Sequence, residues 1–200
     1  MSLSLLDWRR QVHDLYAAVR ADPDPAAAHE LWRTTRDRLF ATHDESPLLA
    51  EDRADFAGLP VAPYDSTLRY EVELDRETEP ERLEVTTGTD GVVVFDRIGV
   101  LRLPNLGDLD AWWLSSYGGG LFVPMKDATA GRKTYGGGRY LLDTAKGADL
   151  GGDVRAGRLV VDLNFAYNPS CAYDPAWACP LAPPGNTLDA PVRGGELSPG

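Results

Sequence analysis

At Thr67 the apolar residues change their spacing, from about 3.6 positions per repeat to about two, and that change divides what the chain can fold into. Beyond it, Leu68, Tyr70, Val72 and Leu74 alternate with Arg69, Glu71, Glu73 and Asp75. One face is apolar and the other charged, as a half-buried strand requires. Leu83, Val85 and Thr87 repeat the alternation, and Asp90-Gly91 is a hairpin turn signal leading into a run at residues 92–95. Further strands are expected at residues 99–103, 111–116, 120–123, 139–143 and 158–165. Glycine-rich turns separate them, with no helical pattern long enough for a parallel crossover. The expectation is an antiparallel sheet, closed into a barrel or folded as a sandwich.

Before Thr67 the pattern is helical. Leu5, Trp8, Val12, Leu15 and Val19 recur on one face, behind a capping-box-like Ser4 and Asp7. Asp22-Pro23 stops this helix, after which Asp24 can cap a second one with Pro25 at its first position. The second apolar face reads Ala28, Leu31, Trp32, Thr35 and Leu39. So short a linker predicts an antiparallel pair, with Trp8 and Trp32 packing on the main domain or on each other. Ser46-Pro47 is expected to start a third, short helix through Leu49 and Phe56. The fold class is α+β: a helical segment over residues 1–66, a mainly antiparallel β domain over residues 67–190, and a Gly- and Pro-rich tail over residues 191–200 that is expected to fray.

The formal net charge of −11 argues against non-specific nucleic-acid binding, whose affinity comes chiefly from neutralising phosphates, and against an anionic membrane surface. The first residues lack the basic and apolar regions of a secretory signal, and no apolar run reaches about eighteen residues. A soluble, cytoplasmic protein is expected.

Residues 162–186, DLNFAYNPSCAYDPAWACPLAPPGN, hold most of the unusual chemistry, including both cysteines. A structureless stretch of about twenty residues is uncommon in a compact domain and is usually functional or disordered, and the aromatic content opposes disorder. Cys171 and Cys179 allow one intrachain disulfide, two small buried hydrophobes pinning the loop, or a nucleophile at Cys171. His13, His29 and His43 all precede the β region, none in a metal-ligand motif, so no metal site is expected.

Three motifs in order, TYGGGRYL at residues 134–141, the segment just quoted, and GGE at residues 194–196, resemble the bacterial domain-of-unknown-function family numbered sixteen eighty-four. The resemblance extends to LFVPMKDATAG at residues 121–131 and more loosely to ELWRTTRDRLF at residues 30–40. It implies no established activity. The family usually reads Pro-Glu-Asn where this chain has Pro184-Gly185-Asn186, so a role for that acid does not carry over.

The glycines of TYGGGRY can turn with positive φ and expose amides to an anion flanked by Lys133 and Arg139, or they can simply form a packed hairpin. In the strand at residues 158–165, Asp162 and Asn164 share a face; if that face is interior, Asp162 needs a partner such as Arg139. Two functions fit these residues. One is a small-molecule site, catalytic or only binding, at Lys126, Asp127, Tyr135, Arg139, Asp162, Asn164, Tyr167 and Asn168. The other is a non-enzymatic structural or partner-binding domain in which the same residues form a stabilising polar network. Neither a cofactor nor a catalytic residue can be named from sequence.

Overall fold

The computed structural model describes residues 3–87 and 91–199. Helix α1 spans Leu3–Ala21 and α2 spans Pro25–Thr42. Asp24 caps α2 as its sequence predicts, accepting from the amides of Ala26 and Ala27 with Pro25 in the first turn. Ser4 does not cap α1. It lies inside the first turn, and its hydroxyl reaches Glu45.

The inward face of α2 is rotated from the expected one. Ala28, His29, Trp32, Leu39 and Phe40 are buried while Leu31 is exposed. Trp32 sets the rotation: its ring meets Phe165 edge-on at 5.5 Å and its indole N–H donates to the Tyr16 hydroxyl at 3.1 Å. His29 then falls beside Asn164, whose carbonyl lies 3.0 Å from its Nε2. Trp8 packs on Phe40 and His43. The expected third helix is replaced by successive turns, because the Arg53 guanidinium folds back onto the carbonyls of Leu48 and Ser46.

Seven strands follow among the described residues: β1 Arg69–Asp75, β2 Arg82–Thr86, β3 Val92–Leu103, β4 Gly107–Leu114, β5 Leu121–Met125, β6 Arg139–Asp143 and β7 Arg158–Asp162. All their pairings are antiparallel, in the order β6-β5-β4-β3-β1-β7, with β2 on β3. Two expected strands, at residues 92–95 and 99–103, are one long strand with an irregularity between Arg97 and Gly99. Gly99 is required there, since a Cβ would stand 2.5 Å from the Asp75 carbonyl of β1. The turn expected at Asp90-Gly91 lies in part outside the described residues; Thr86 pairs with Val92 on either side of it. The expected strand at 158–165 ends at Asp162, where the carboxylate accepts the Asn164 amide and starts a 3-10 turn over Leu163–Phe165.

The sheet curls into a half-barrel. Its two ends are drawn together by a bridge in which the Tyr140 amide donates to the Tyr167 carbonyl at 2.8 Å and the Tyr167 amide to the Tyr140 carbonyl at 3.0 Å. One core joins Leu15, Tyr16, Val19, Ala28 and Trp32 of the helices to Leu101, Val123, Leu141, Val161 and Phe165 of the β region. A smaller one gathers Phe95, Trp112, Phe122 and Tyr140. Within its described residues, 191–199, the tail expected to fray is instead packed on the domain: Val192 and Glu196 are fully buried, and the Ser198 amide donates to the Lys133 carbonyl. No helix among the described residues is long and apolar enough to cross a membrane.

Candidate functional site

The helical pair meets the closing bridge of the half-barrel at a cavity of about 120 Å³. Tyr16 comes from α1, Arg36 and Phe40 from α2, Tyr140 from β6, and Tyr167 and Asn168 from the segment after β7. The backbone bridge fixes the two tyrosines, whose rings meet edge-on at 5.7 Å. Arg36 projects from the apolar face of α2 into an aromatic cage, its guanidinium carbon 4.9 Å from the Trp32 ring centre and 5.1 Å from those of Phe40 and Tyr167. One of its nitrogens donates to Glu196 Oε2 at 2.7 Å, and that oxygen also accepts the Asn168 amide at 3.1 Å. The Asn168 side chain donates to the Leu197 carbonyl at 2.7 Å.

This constellation is incompletely satisfied. Among the described residues, the buried side-chain polar atoms without a hydrogen-bond partner are Arg36 Nε, Asn168 Oδ1, Glu196 Oε1 and the Tyr173 hydroxyl. Arg36 and Asn168 line the cavity, Glu196 bonds both, and Tyr173 packs edge-on against Phe40 at 5.1 Å. Burial is otherwise accompanied by pairing, so unspent donors and acceptors gathered in one place mark it out. Burial also pushes the Glu196 carboxyl up, against the opposing pull of Arg36. The Tyr16 hydroxyl is pushed up to about 12 and that of Tyr167 well above its ordinary value, burial being the main cause in both.

The residues named from the sequence are distributed over five places. Arg139 does not pair with Asp162. Its buried guanidinium lies 3.8 Å from Asp127 and donates to the carbonyls of Val192, Gly194 and Glu196, clamping the C-terminal segment. Asp127 accepts from Thr129, Thr134 and the Val192 amide. Asp162 takes Asn164, the Tyr64 hydroxyl and, at 3.9 Å, Arg69 as partners, while Asn164 holds both the amide and the carbonyl of Asp65. β7 ends before Asn164, and the turn directs that side chain to the segment preceding β1, away from Arg139. Tyr135 donates to the carbonyl and sulfur of Cys171, and the hydrogen bond to that thiol is the first reason its own hydroxyl is pushed up to about 12. Lys126 uses its backbone, donating to the Asn186 carbonyl and accepting from Leu188. Of the eight, only Tyr167 and Asn168 line the cavity.

Both cysteines are free thiols, and burial pushes Cys179 up to about 11, so it stays protonated at neutral pH. The glycines of TYGGGRY are packed: a Cβ at Gly138, whose φ is +91°, would meet the Met125 carbonyl at 2.6 Å. At Gly185 a Cβ would stand directly on Asp110 Oδ2, so the Asp110 carboxylate fills the space a side chain would need. Tyr16, Arg36, Tyr140 and Glu196 were not recognised from the sequence. Arg36 carried a signal, since a cation four residues from both Trp32 and Phe40 sits on an otherwise aromatic helix face. Glu196 carried only its place in a short motif.

The fold and the cavity define an α+β protein with a helical pair across a curled antiparallel half-barrel. The chain belongs to the family described as "Protein of unknown function (DUF1684)", whose family model matches residues 54–197. A similar solved structure is the solution NMR structure of an uncharacterized protein of Haloarcula marismortui, 33% identical, covering 84% of this chain and 91% of that one with a TM-score of 0.59. No curated protein matches the chain.

Proposed function

We propose that this protein binds a small molecule at the seam between the helical pair and the half-barrel. The observation that carries the reading is the concentration of unpaired buried polar atoms on Arg36, Asn168, Glu196 and Tyr173 around one aromatic-walled cavity. Such a mixture of apolar walls and a few convergent polar groups is what ligand sites are built from. Tyr167 and Asn168 touch the ligand. Lys126, Asp127, Tyr135, Arg139, Asp162 and Asn164 act behind it, holding the segments that form the floor and the C-terminal wall. With about 120 Å³ available, the ligand is compact or leaves part of itself outside. The acidic composition fits the proposed cytoplasmic setting, without nucleic acid or an anionic membrane as partner.

The second reading, a purely structural network, is favoured by one fact: Asp127, Asp162 and Asn164 are each fully engaged by neighbouring groups of the chain. A thermal-shift screen separates the two, because a ligand that binds only the folded state raises its apparent stability. A hit should stabilise the wild type and lose at least about tenfold in affinity in Tyr167→Phe or Asn168→Ala. Arg102→Gln, on the exposed face of β3 away from the cavity, should respond like the wild type. A screen without hits, or hits indifferent to both cavity variants, would hand the site to the structural reading.

A further inference from the structure

The seam cavity has one more polar wall. Asp143 ends β6 and lines the cavity together with Tyr16, Tyr140 and Tyr167. Resting on the reading of this cavity as a ligand site, we propose that its ligand is a small organic ammonium ion, with the charge held by the Asp143 carboxylate and the stem by the surrounding rings.

Asp143 is a buried acid with little to hold its charge. The residue is only 6% exposed, and it stands at the cap position of the 3-10 turn Thr144–Lys146 without its side chain bonding a turn amide. Its one ion partner among the described residues is Lys146, 3.4 Å away, whose side chain is 63% exposed. A cation standing in water offsets little of what it costs to take a carboxylate out of water. The acid is nonetheless held in place, since the Asp143 amide donates to the Ala148 carbonyl at 2.9 Å and the Ala148 amide returns a bond at 3.0 Å. Its backbone is therefore set before a ligand arrives, which lowers the ordering cost of binding.

The unspent groups nearby are chiefly acceptors. Asn168 Oδ1 and Glu196 Oε1 lack partners, against one pure donor, Arg36 Nε, and the Tyr173 hydroxyl, which can act either way. Adding the Asp143 carboxylate leaves acceptors in excess. An ammonium group brings three N–H donors and no acceptor, which is the complement of that excess.

The walls favour the same charge. Trp8, Tyr16, Phe40, Tyr140 and Tyr167 line the space, and aromatic faces attract cations. Arg36 is already held this way over Phe40 and Tyr167, but its own charge is spent on Glu196 at 2.7 Å and is not free for an anion. Burial is the first reason the Tyr16 and Tyr167 hydroxyls are pushed up, and the Asp143 charge adds to it in both, so the field of that carboxylate reaches both phenols. An anionic ligand would meet Asp143 and Glu196 with only the exposed Lys146 in its favour. The net charge of −11 also draws a cation toward the chain and repels an anion.

The test follows amide chemical shifts of the full chain during titration with butylammonium, butyrate or butanol, at an ionic strength held constant with sodium chloride. Butylammonium should give saturable shifts at residues 140–148 and 167–170, and butyrate and butanol should not. Asp143→Asn should weaken butylammonium binding by about tenfold or more, while Lys146→Gln should tighten it by about threefold because the competing cation is gone. A purely structural role for the pair would not move the two variants in opposite directions. Weaker butylammonium binding in Lys146→Gln, unchanged binding in Asp143→Asn, or butyrate or butanol bound at these residues as tightly as butylammonium would overturn the ammonium assignment. So would the absence of saturable butylammonium shifts there. If thermal-shift hits that depend on Tyr167 or Asn168 are found alongside any of these results, the cavity stands as a ligand site and only the ligand class falls.

Discussion

His29 is a titratable ring held inside an aromatic cluster, stacked on Trp32 at 5.6 Å and edge-on to Phe165 at 5.4 Å. Its Nε2 donates to the Asn164 carbonyl, which fixes the neutral tautomer with the proton on that nitrogen. Burial lowers its proton affinity from the ordinary 6.5. In the window below 6.5 the unfolded chain therefore binds a proton that the folded chain does not, and stability falls as pH falls through it. The melting-temperature difference between wild type and His29→Gln should move against the wild type between about pH 7 and about pH 5, and a flat difference would show that protonation of His29 is not penalised. Asp162 and Glu196 have the opposite sign. Burial raises both, so their contributions are intact below the ordinary carboxylate value and lost as pH rises through the folded one.

Among elements, the long segment after β7 is held by a latch. Asn186 is fully buried, donates to the Asp110 and Pro124 carbonyls at 2.8 Å each, and accepts the Trp112 indole at 2.9 Å. Those groups belong to β4 and β5, so one side chain fastens the loop's end to two strands. Asn186→Ala should cost about 2–4 kcal/mol in denaturant unfolding, because two carbonyls and an indole N–H lose their partner in a buried setting. Proteolysis between residues 170 and 183 should accelerate in the native state. Unchanged proteolysis would mean that the backbone bonds of Lys126 to Asn186 and Leu188 suffice.

For the molecule as a whole, the helical pair is part of the core. Tyr16, Val19 and Trp32 share one apolar cluster with Leu163 and Phe165, and Arg36 reaches across to Glu196. The family match begins at residue 54, after both helices. A fragment of residues 54–200 would expose Phe165 and leave the buried Glu196 without its ion partner, each a severe loss. It should show no cooperative unfolding transition by calorimetry. A sharp transition near that of the full chain would make the helices an appendage after all.

Sequence by itself determined the elements whose pattern is locally enforced. In β1, Tyr70, Val72 and Leu74 turn inward and Arg69, Glu71 and Glu73 outward as their alternation requires, and Asp24-Pro25 starts α2 because a cap acts on the next residues of its own chain. β6 falls on residues 139–143 as read. Pairing across the chain was not legible. That Arg139 faces Asp127 and three tail carbonyls, that Asp162 faces Arg69 and Tyr64, and that Arg36 reaches Glu196 depend on how far β7 runs before its turn and on how α2 is rotated. Neither quantity is local: Trp32 sets the rotation by fitting against Phe165 from the other end of the chain, and the seam cavity exists because the Tyr140–Tyr167 bridge brings distant segments together beneath α1 and α2. The tertiary structure decided the site, since a buried charge takes whatever partner the closed fold places within reach, and a period in the sequence fixes which face a residue is on but not what stands opposite.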